Sequence, residues 1–401
     1  MSFSVWSWKG QRPASGWRAV FDGQARWSTL DWPVLVLAIA MVFVGVVFVE
    51  EMAGSEERYG RDRIQLAGHV KKLVVAFPCL VVGLFIRPRF LRQNTWLLYG
   101  AAIVLLVLVA FIGEERNHAR RWIPMPLGFD IQPSELVKIA LILALARALY
   151  RNRLSRKRDW GIPALLALLP MVLVAAQPDL GTALTIVPVT LGLFWVAGAR
   201  ARVLGGLIGL GVLLAGMAWQ FEWVQGYQKK RIDTWVASFD DQTLIAERNG
   251  PAFHTYHAHL VVGNGGVFGT GLGQGVANAT AHLPERASDS IFCVIAEEGG
   301  FVGAAFLVFF YLLFSGLLFV AAGRTRERYS RMVVAGVGLY FSSHFLINVG
   351  VNLGLLPMTG LTLPLISTGG SSFLASFLAL GLALGLSARQ EPTLDMDAFR
   401  S

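Results

Sequence analysis

"FVGAAFLVFFYLLFSGLLFVAA", residues 301–322, runs without a charged side chain. Crossing the hydrocarbon core of a bilayer takes about 20 helical residues. This stretch can therefore span a membrane unaided, and it sets the fold class for the rest of the chain. It belongs to an apolar run that starts at 291, and further apolar segments lie at 33–49, 69–86, 96–112, 136–149, 162–176, 183–198, 203–219, 332–352 and 373–387. Charged residues make up 15% of the chain and hydrophobic ones 54%, whereas soluble domains carry about 25% charged residues. The pattern predicts an all-α polytopic membrane protein of about ten transmembrane helices. The 136–149 segment is the weakest of these, because it contains Lys138 and Arg147.

The linkers take sides. "RPRFLRQN" (87–94), "RALYRNRLSRKRD" (147–159), "ARAR" (199–202) and "GRTRERYSR" (323–331) are strongly basic. The positive-inside rule puts them, and both termini, in the cytoplasm. Linkers 50–68, 113–135, 177–182, 220–290 and 353–372 then face outward. The expected organisation is a cytoplasmic N-terminal tail (1–31), a transmembrane domain (32–387) with one large extracytoplasmic loop (220–290), and a cytoplasmic C-terminal tail (388–401). The polar, basic start makes the first apolar run a retained anchor in the cytoplasmic (inner) membrane rather than a cleaved leader. The net charge of +9 suits membrane lipids and not nucleic acid, because the basic residues sit between spans. Cys79 and Cys293 lie in or beside apolar segments and define no disulfide framework.

Acids crowd one edge of the membrane. "HLPERASDSIFCVIAEEGGFVG" (282–303) sets Glu285, Asp289, Glu297 and Glu298 against the start of a span. Ionisable groups there are expensive and mark functional sites, and desolvation raises a carboxylate's pKa toward the range useful for proton transfer. If 289–300 is helical, opened by Pro284, Asp289 and Glu297 are about 12 Å apart along the axis and rotated by about 80°, so they border one cleft. An amphipathic helix with solvated acids is the alternative. Arg121 sits beside Trp122, an interfacial anchor. Glu135 and Lys138, spaced i, i+3, pair on one helix face. "QPDLGT" (177–182) is a tight turn holding Gln177 and Asp179, the latter also an N-cap candidate. "GNGGVFGTGLGQG" (263–275) holds Gly-x-Gly-x-x-Gly fragments with no strand and helix around them, so it reads as a flexible or close-packed substrate loop. Neither helix nor strand brings the three histidines of "HTYHAH" (254–259) to one face, which favours solvated loop residues over metal ligands.

These pieces together resemble the SEDS family of RodA, FtsW and SpoVE. The matching stretches are "RRWIPM…FDIQPSELVKIA", "AAQPDLGTAL", "GGVFGTGLGQG", "LPERASDSIFCVIAEEGGFVG" and "NVGVNLGLLPMTGLTLPLISTGGSS", in family order, over residues 32–387. The resemblance implies a peptidoglycan glycosyltransferase that polymerises lipid II into glycan strands at the outer face of the cytoplasmic membrane, for cell elongation or division. It puts the family's essential aspartate on Asp289, its Arg-Trp pair on Arg121–Trp122, and its Gln-Pro-Ser-Glu-x-x-Lys motif on Glu135 and Lys138. Its Gln-Pro-Asp-Leu-Gly-Thr motif is intact. Departures occur at Ser288–Asp289–Ser290, at Gly263–Asn264–Gly265–Gly266, at His257–Ala258–His259 and at Ser367–Thr368–Gly369–Gly370–Ser371. "LPER" and "AAQPDLGT" lean toward the RodA branch, and the long N-terminal tail leans toward FtsW; the balance falls to RodA.

The implied chemistry makes Asp289 the catalytic base. Arg121, Glu135, Lys138, Gln177, Asp179, Glu285 and Glu297 are the expected substrate-binding residues. Arg121, Lys138 or a divalent cation (Mg2+ or Mn2+) would neutralise the pyrophosphate leaving group, with no organic cofactor and with a class B penicillin-binding protein as partner. Two rivals share the expected topology: a lipid-linked precursor flippase, and a non-catalytic scaffold that activates a partner transpeptidase.

Overall fold

A computed structural model describes residues 29–60, 64–116, 119–125, 129–177, 179–221, 226–280 and 283–389. The two terminal tails expected from the sequence lie almost wholly outside these residues. Within them the chain is predominantly α-helical and multi-pass, with eight helices long and apolar enough to cross a membrane. The first helices are α1 (Trp32–Arg58), α2 (Leu66–Phe85) and α3 (Pro88–Ile112). Proline lies in the first turn of α1 and α3, where its missing N–H has no helical partner to lose. There follow α4 (Pro133–Leu149), α5 (Gly161–Ala176), α6 (Leu180–Ala197) and α7 (Ala201–Gln220). The long loop then folds into four short helices, α8 (Gly226–Ala237), α9 (Asp241–Ala246), α10 (Phe253–Asn264) and α11 (Val276–Thr280). The chain ends with α12 (Ile291–Arg324), α13 (Arg328–Asn352) and α14 (Gly370–Ser387).

The bundle interior is built from α4, α13 and α14, each buried over most of its length. The 136–149 segment, weakest by hydropathy, is thus among the most enclosed. Its Lys138 is compensated in space, as described below. Helices α2 and α14 approach closely because Gly381 and Gly385 face the Leu80 and Leu84 carbonyl oxygens, where a methyl group would overlap them. Small residues serve close helix approach in membranes in this way. By contrast α7 buries only Leu204 and turns the rest of its surface outward.

Two features depart from the all-α, unbroken-helix expectation. Residues 114–131 carry an antiparallel three-stranded sheet in the order β1 (Glu114–Arg116), β2 (Ala119–Met125), β3 (Phe129–Ile131). Helix α12 begins only at Ile291, so Asp289 precedes it, and it breaks at Gly300, whose φ is 66° and ψ −169°. The break frees backbone groups that the glycine-rich stretch satisfies. Thr270 and Gly271 N–H donate to the Glu297 and Glu298 carbonyls at 3.0 and 3.1 Å, and Phe301 and Val302 N–H donate to those of Gly266 and Val267 at 2.9 and 3.1 Å. A methyl group at Gly269 would overlap the Glu298 carbonyl oxygen. The glycines of 263–275 are therefore close-packed against the broken helix. The Glu297 side chain belongs to the same clasp, its carboxylate accepting from Val276 N–H at 2.9 Å and Ala277 N–H at 3.0 Å.

Candidate active site

The turn that carries Asp289 is fixed from three directions. Ser288 and Ser290 N–H both donate to the Glu285 carbonyl, at 2.9 and 3.3 Å, with Glu285 itself at φ 45°. Pro284 and Glu285 therefore sit in a turn and open no helix. The Asp289 carbonyl accepts from the side-chain amides of Asn348 and Asn352, at 2.8 and 2.9 Å. Thr368 N–H, from the segment leading into α14, donates to the Ala287 carbonyl at 2.7 Å. The backbone around the carboxylate is thus tied to α13 and to the α14 entrance.

Asp289 lines a polar cavity of about 600 Å³ at the end of the bundle that carries the long loop. Its Oδ1 is enclosed and accepts no hydrogen bond. Burial, then the nearby Glu285 carboxylate, push its pKa from 3.8 to about 7, while the Arg231 guanidinium pulls it partly back. Helical spacing had suggested Glu297 as its neighbour across one cleft. Glu297 faces the glycine clasp instead, and Arg286 is consumed in a buried ion pair with Glu56. A carboxylate that titrates near neutrality can take a proton from a hydroxyl and later release it.

Arg121, Glu135, Asp179 and Glu285 line the same cavity. Arg121 Nε donates to the Gln177 carbonyl at 2.8 Å, and its guanidinium lies 3.7 Å from Asp179 Oδ1. Asp179 caps α6 by accepting from Thr182 N–H at 3.1 Å, and its other oxygen accepts from Gln132 Nε2 at 3.0 Å. Capping and site membership are therefore compatible for this residue. Lys138 bonds Glu135 Oε1 at 2.7 Å, as the i, i+3 spacing predicts, and also His344 Nε2 at 2.7 Å. It is enclosed and does not line the cavity, which removes it as a direct neutraliser of a leaving group. Gln177 turns its amide to the Leu106 carbonyl at 2.7 Å and contributes its backbone oxygen to Arg121. Glu297 is also absent from the lining.

Sequence reasoning missed several cavity residues. Lys72 on α2 and Arg231 on α8 add two cations, and Asp130 on β3 adds an acid. Lys72 was passed over because it sits in an apolar run, although an ionisable residue there is itself a signal. Asn348 and Asn352, spaced i, i+4 in an apolar helix, carried a similar signal. His254 does not lie in a solvated loop: it sits on α10, lines the cavity, and its Nε2 is 2.7 Å from Ser290 Oγ. His282, which opened the acidic stretch, lies outside the described residues.

The sequence profile of the cell cycle protein family of FtsW, RodA and SpoVE matches residues 30–391. The chain belongs to this family, the SEDS proteins. A relative named probable peptidoglycan glycosyltransferase FtsW, from Burkholderia thailandensis, is 31% identical over 400 residues, covering 90% of this chain and 82% of the relative. The peptidoglycan glycosyltransferase MrdB of Escherichia coli K12 is 29% identical, covering 86% of this chain and 90% of its own. A solved structure described as "Structural coordination of polymerization and crosslinking by a peptidoglycan synthase complex" superposes with a TM-score of 0.75 at 31% identity, over 91% of this chain and all of that one. The rod shape determining protein RodA of Thermus thermophilus superposes with a TM-score of 0.66 at 31% identity, over 90% of this chain and 97% of that one. Relatives named FtsW and MrdB thus match at similar identity, 31% and 29%.

Proposed function

We propose that this SEDS protein is a peptidoglycan glycosyltransferase that polymerises lipid II at the outer face of the cytoplasmic membrane, with Asp289 as general base. The observation that carries the reading is a single one. A carboxylate with a pKa near 7 faces a polar, cation-bearing cavity at one end of an apolar bundle. The acceptor sugar's 4-hydroxyl attacks the anomeric carbon of the donor. A new C–O bond forms, the bond to undecaprenyl pyrophosphate breaks, and Asp289 takes the hydroxyl proton. The departing pyrophosphate needs positive charge more than an acid. Arg121, Arg231 and Lys72 supply it, in place of the enclosed Lys138.

A divalent cation fits here only in a restricted way. Among the described residues no three His, Cys, Asp or Glu side chains converge as a ligand set. Mg2+ is commonly held by one or two carboxylates, water and substrate phosphates, and Asp289 with Glu285, close enough to shift its titration, suits that mode. Such an ion would add positive charge beside the pyrophosphate.

The topology of the proposal has ten spans, the eight long helices plus the shorter α4 and α6. At 1.5 Å per residue a 17- or 18-residue helix is about 26 Å long, enough for helices inside a bundle. The basic linkers 147–159 and 323–331 support cytoplasmic termini and an outward-facing cavity. The partner is a class B penicillin-binding protein, which would crosslink the strands.

Purified protein, alone and with its cognate transpeptidase, is given labelled lipid II in detergent or liposomes, and glycan length is read on a gel. Long strands in the presence of the protein support polymerisation. Lipid II that crosses the bilayer without elongation supports a flippase. No strands from this chain, with faster crosslinking of preformed strands by the partner in its presence, support a scaffold.

A further inference from the structure

We infer that His254 is a substrate-orienting residue of this site, which hydrogen-bonds a sugar hydroxyl through Nδ1 in the cavity that Asp289 lines. This rests on the glycosyl-transfer reading. His254 lies on α10 of the long loop, far from Asp289 in sequence, yet both side chains line one cavity. Its Nε2 is 2.7 Å from the hydroxyl of Ser290, the residue that follows Asp289 and immediately precedes α12. Ser290 is enclosed, so this contact is exchanged with the protein and not with solvent. Among the described residues the ring makes no other hydrogen bond, and Nδ1 is not one of the enclosed orphan atoms. One nitrogen is therefore anchored, and the other is not enclosed, on a ring that lines the cavity.

The chemistry of a neutral imidazole suits this position. Burial, then the charges of Arg231 and His257, hold the ring's pKa down at about 4, so it carries no charge at neutral pH. A neutral ring has one donor and one acceptor nitrogen, and which is which follows from the partner of the anchored one. When Ser290 O–H donates to Nε2, Nδ1–H is a donor to the cavity. When the serine rotates and accepts, Nδ1 becomes an acceptor. The pair can therefore match either polarity of a sugar hydroxyl without moving a charge into the site. Arg231 and Lys72 cannot do this, since both are donors only. The Ser290 link ties the ring to the turn that carries Asp289, so a hydroxyl held by Nδ1 lies in the cavity that the base also lines.

The test compares His254→Phe, which keeps the ring shape and removes both nitrogens, with His254→Gln, which restores a neutral donor and acceptor. Each is purified with the transpeptidase, checked for thermal stability, and assayed for kcat and KM with lipid II. Phe is expected to lower kcat/KM roughly tenfold, the scale of one lost hydrogen bond, when assayed well below its melting temperature, because it also leaves the enclosed Ser290 hydroxyl unpaired, and Gln is expected to recover most of it. Unchanged kinetics in Phe overturn the inference. So does a Gln variant as impaired as Phe, or a Phe variant whose lost activity tracks lost stability, since the ring then serves packing. A wild-type protein that makes no glycan would instead refute the polymerase reading itself.

Discussion

Replacing Asp289 by Asn separates the energetic burden of the base from its chemistry. The folded-state pKa is near 7 against 3.8 for the free side chain, and burial is the larger cause. A carboxyl group whose folded pKa is raised binds its proton more tightly when folded. Its contribution to stability is therefore present at low pH and is lost as pH rises from 3.8 through 7. The span from 3.8 to about 7 corresponds to roughly 4 kcal/mol above neutrality, at about 1.4 kcal/mol per pKa unit. Asparagine has nearly the same shape and cannot ionise, so Asp289→Asn escapes this penalty. The variant should be more stable than wild type at pH 8, by up to about 4 kcal/mol, and the gap should be roughly half that at pH 5. Thermal or denaturant unfolding of both proteins in detergent, from pH 5 to pH 9, measures the difference. A wild type as stable as the variant at pH 8, or a gap that does not change with pH, would refute the reasoning that burial raises this carboxyl.

Three further outcomes follow from other parts of the molecule. Because Glu135 and Lys138 are enclosed together, neutralising either alone should destabilise by about 3–5 kcal/mol. The swap Glu135→Lys with Lys138→Glu should fold better than either single charge reversal, and equal unfolding midpoints for all of them would show a solvated pair. Gly269→Ala places a methyl group against the Glu298 carbonyl at a φ of 84°, so it should loosen the 263–275 clasp and speed proteolysis in the long loop. A wild-type cleavage rate would argue that the clasp is not a structural anchor. Single cysteines at Arg156 and Arg326 should resist a membrane-impermeant thiol reagent in intact cells while one at Gln242 reacts, and labelling at Arg156 would overturn the proposed sidedness.

The sequence carried the architecture better than the site. Residues 301–322 announced a span because nothing in them is polar enough to stop one, and Glu135–Lys138 was legible because i, i+3 spacing is a local rule. Hydropathy undervalued 136–149 because it counts Lys138 as exposed charge, whereas Glu135 and His344 satisfy it in space. The break at Gly300 was hidden because two adjacent glycines in an apolar run do not say which adopts a positive φ, and its hydrogen bonds come from a loop about 30 residues away. Asp289 precedes α12 instead of lying on it, and Val276 and Ala277 N–H take the Glu297 carboxylate, so the two acids do not border one cleft. Lys72, Arg231 and His254 reach the cavity from α2, α8 and α10, a convergence that no local pattern encodes. Asp289 was singled out among four nearby acids by its match to the family motif.

The most direct test of the central claim is the rate at which purified Asp289→Asn, matched to wild type in folding and in transpeptidase binding, polymerises labelled lipid II across the pH range. The account predicts a wild-type rate that rises with pH to half its maximum near 7, where Asp289 loses its proton, and no detectable glycan from the variant at any pH. Strands of wild-type length made by Asp289→Asn, or a variant rate that keeps the same rise near pH 7, would contradict it.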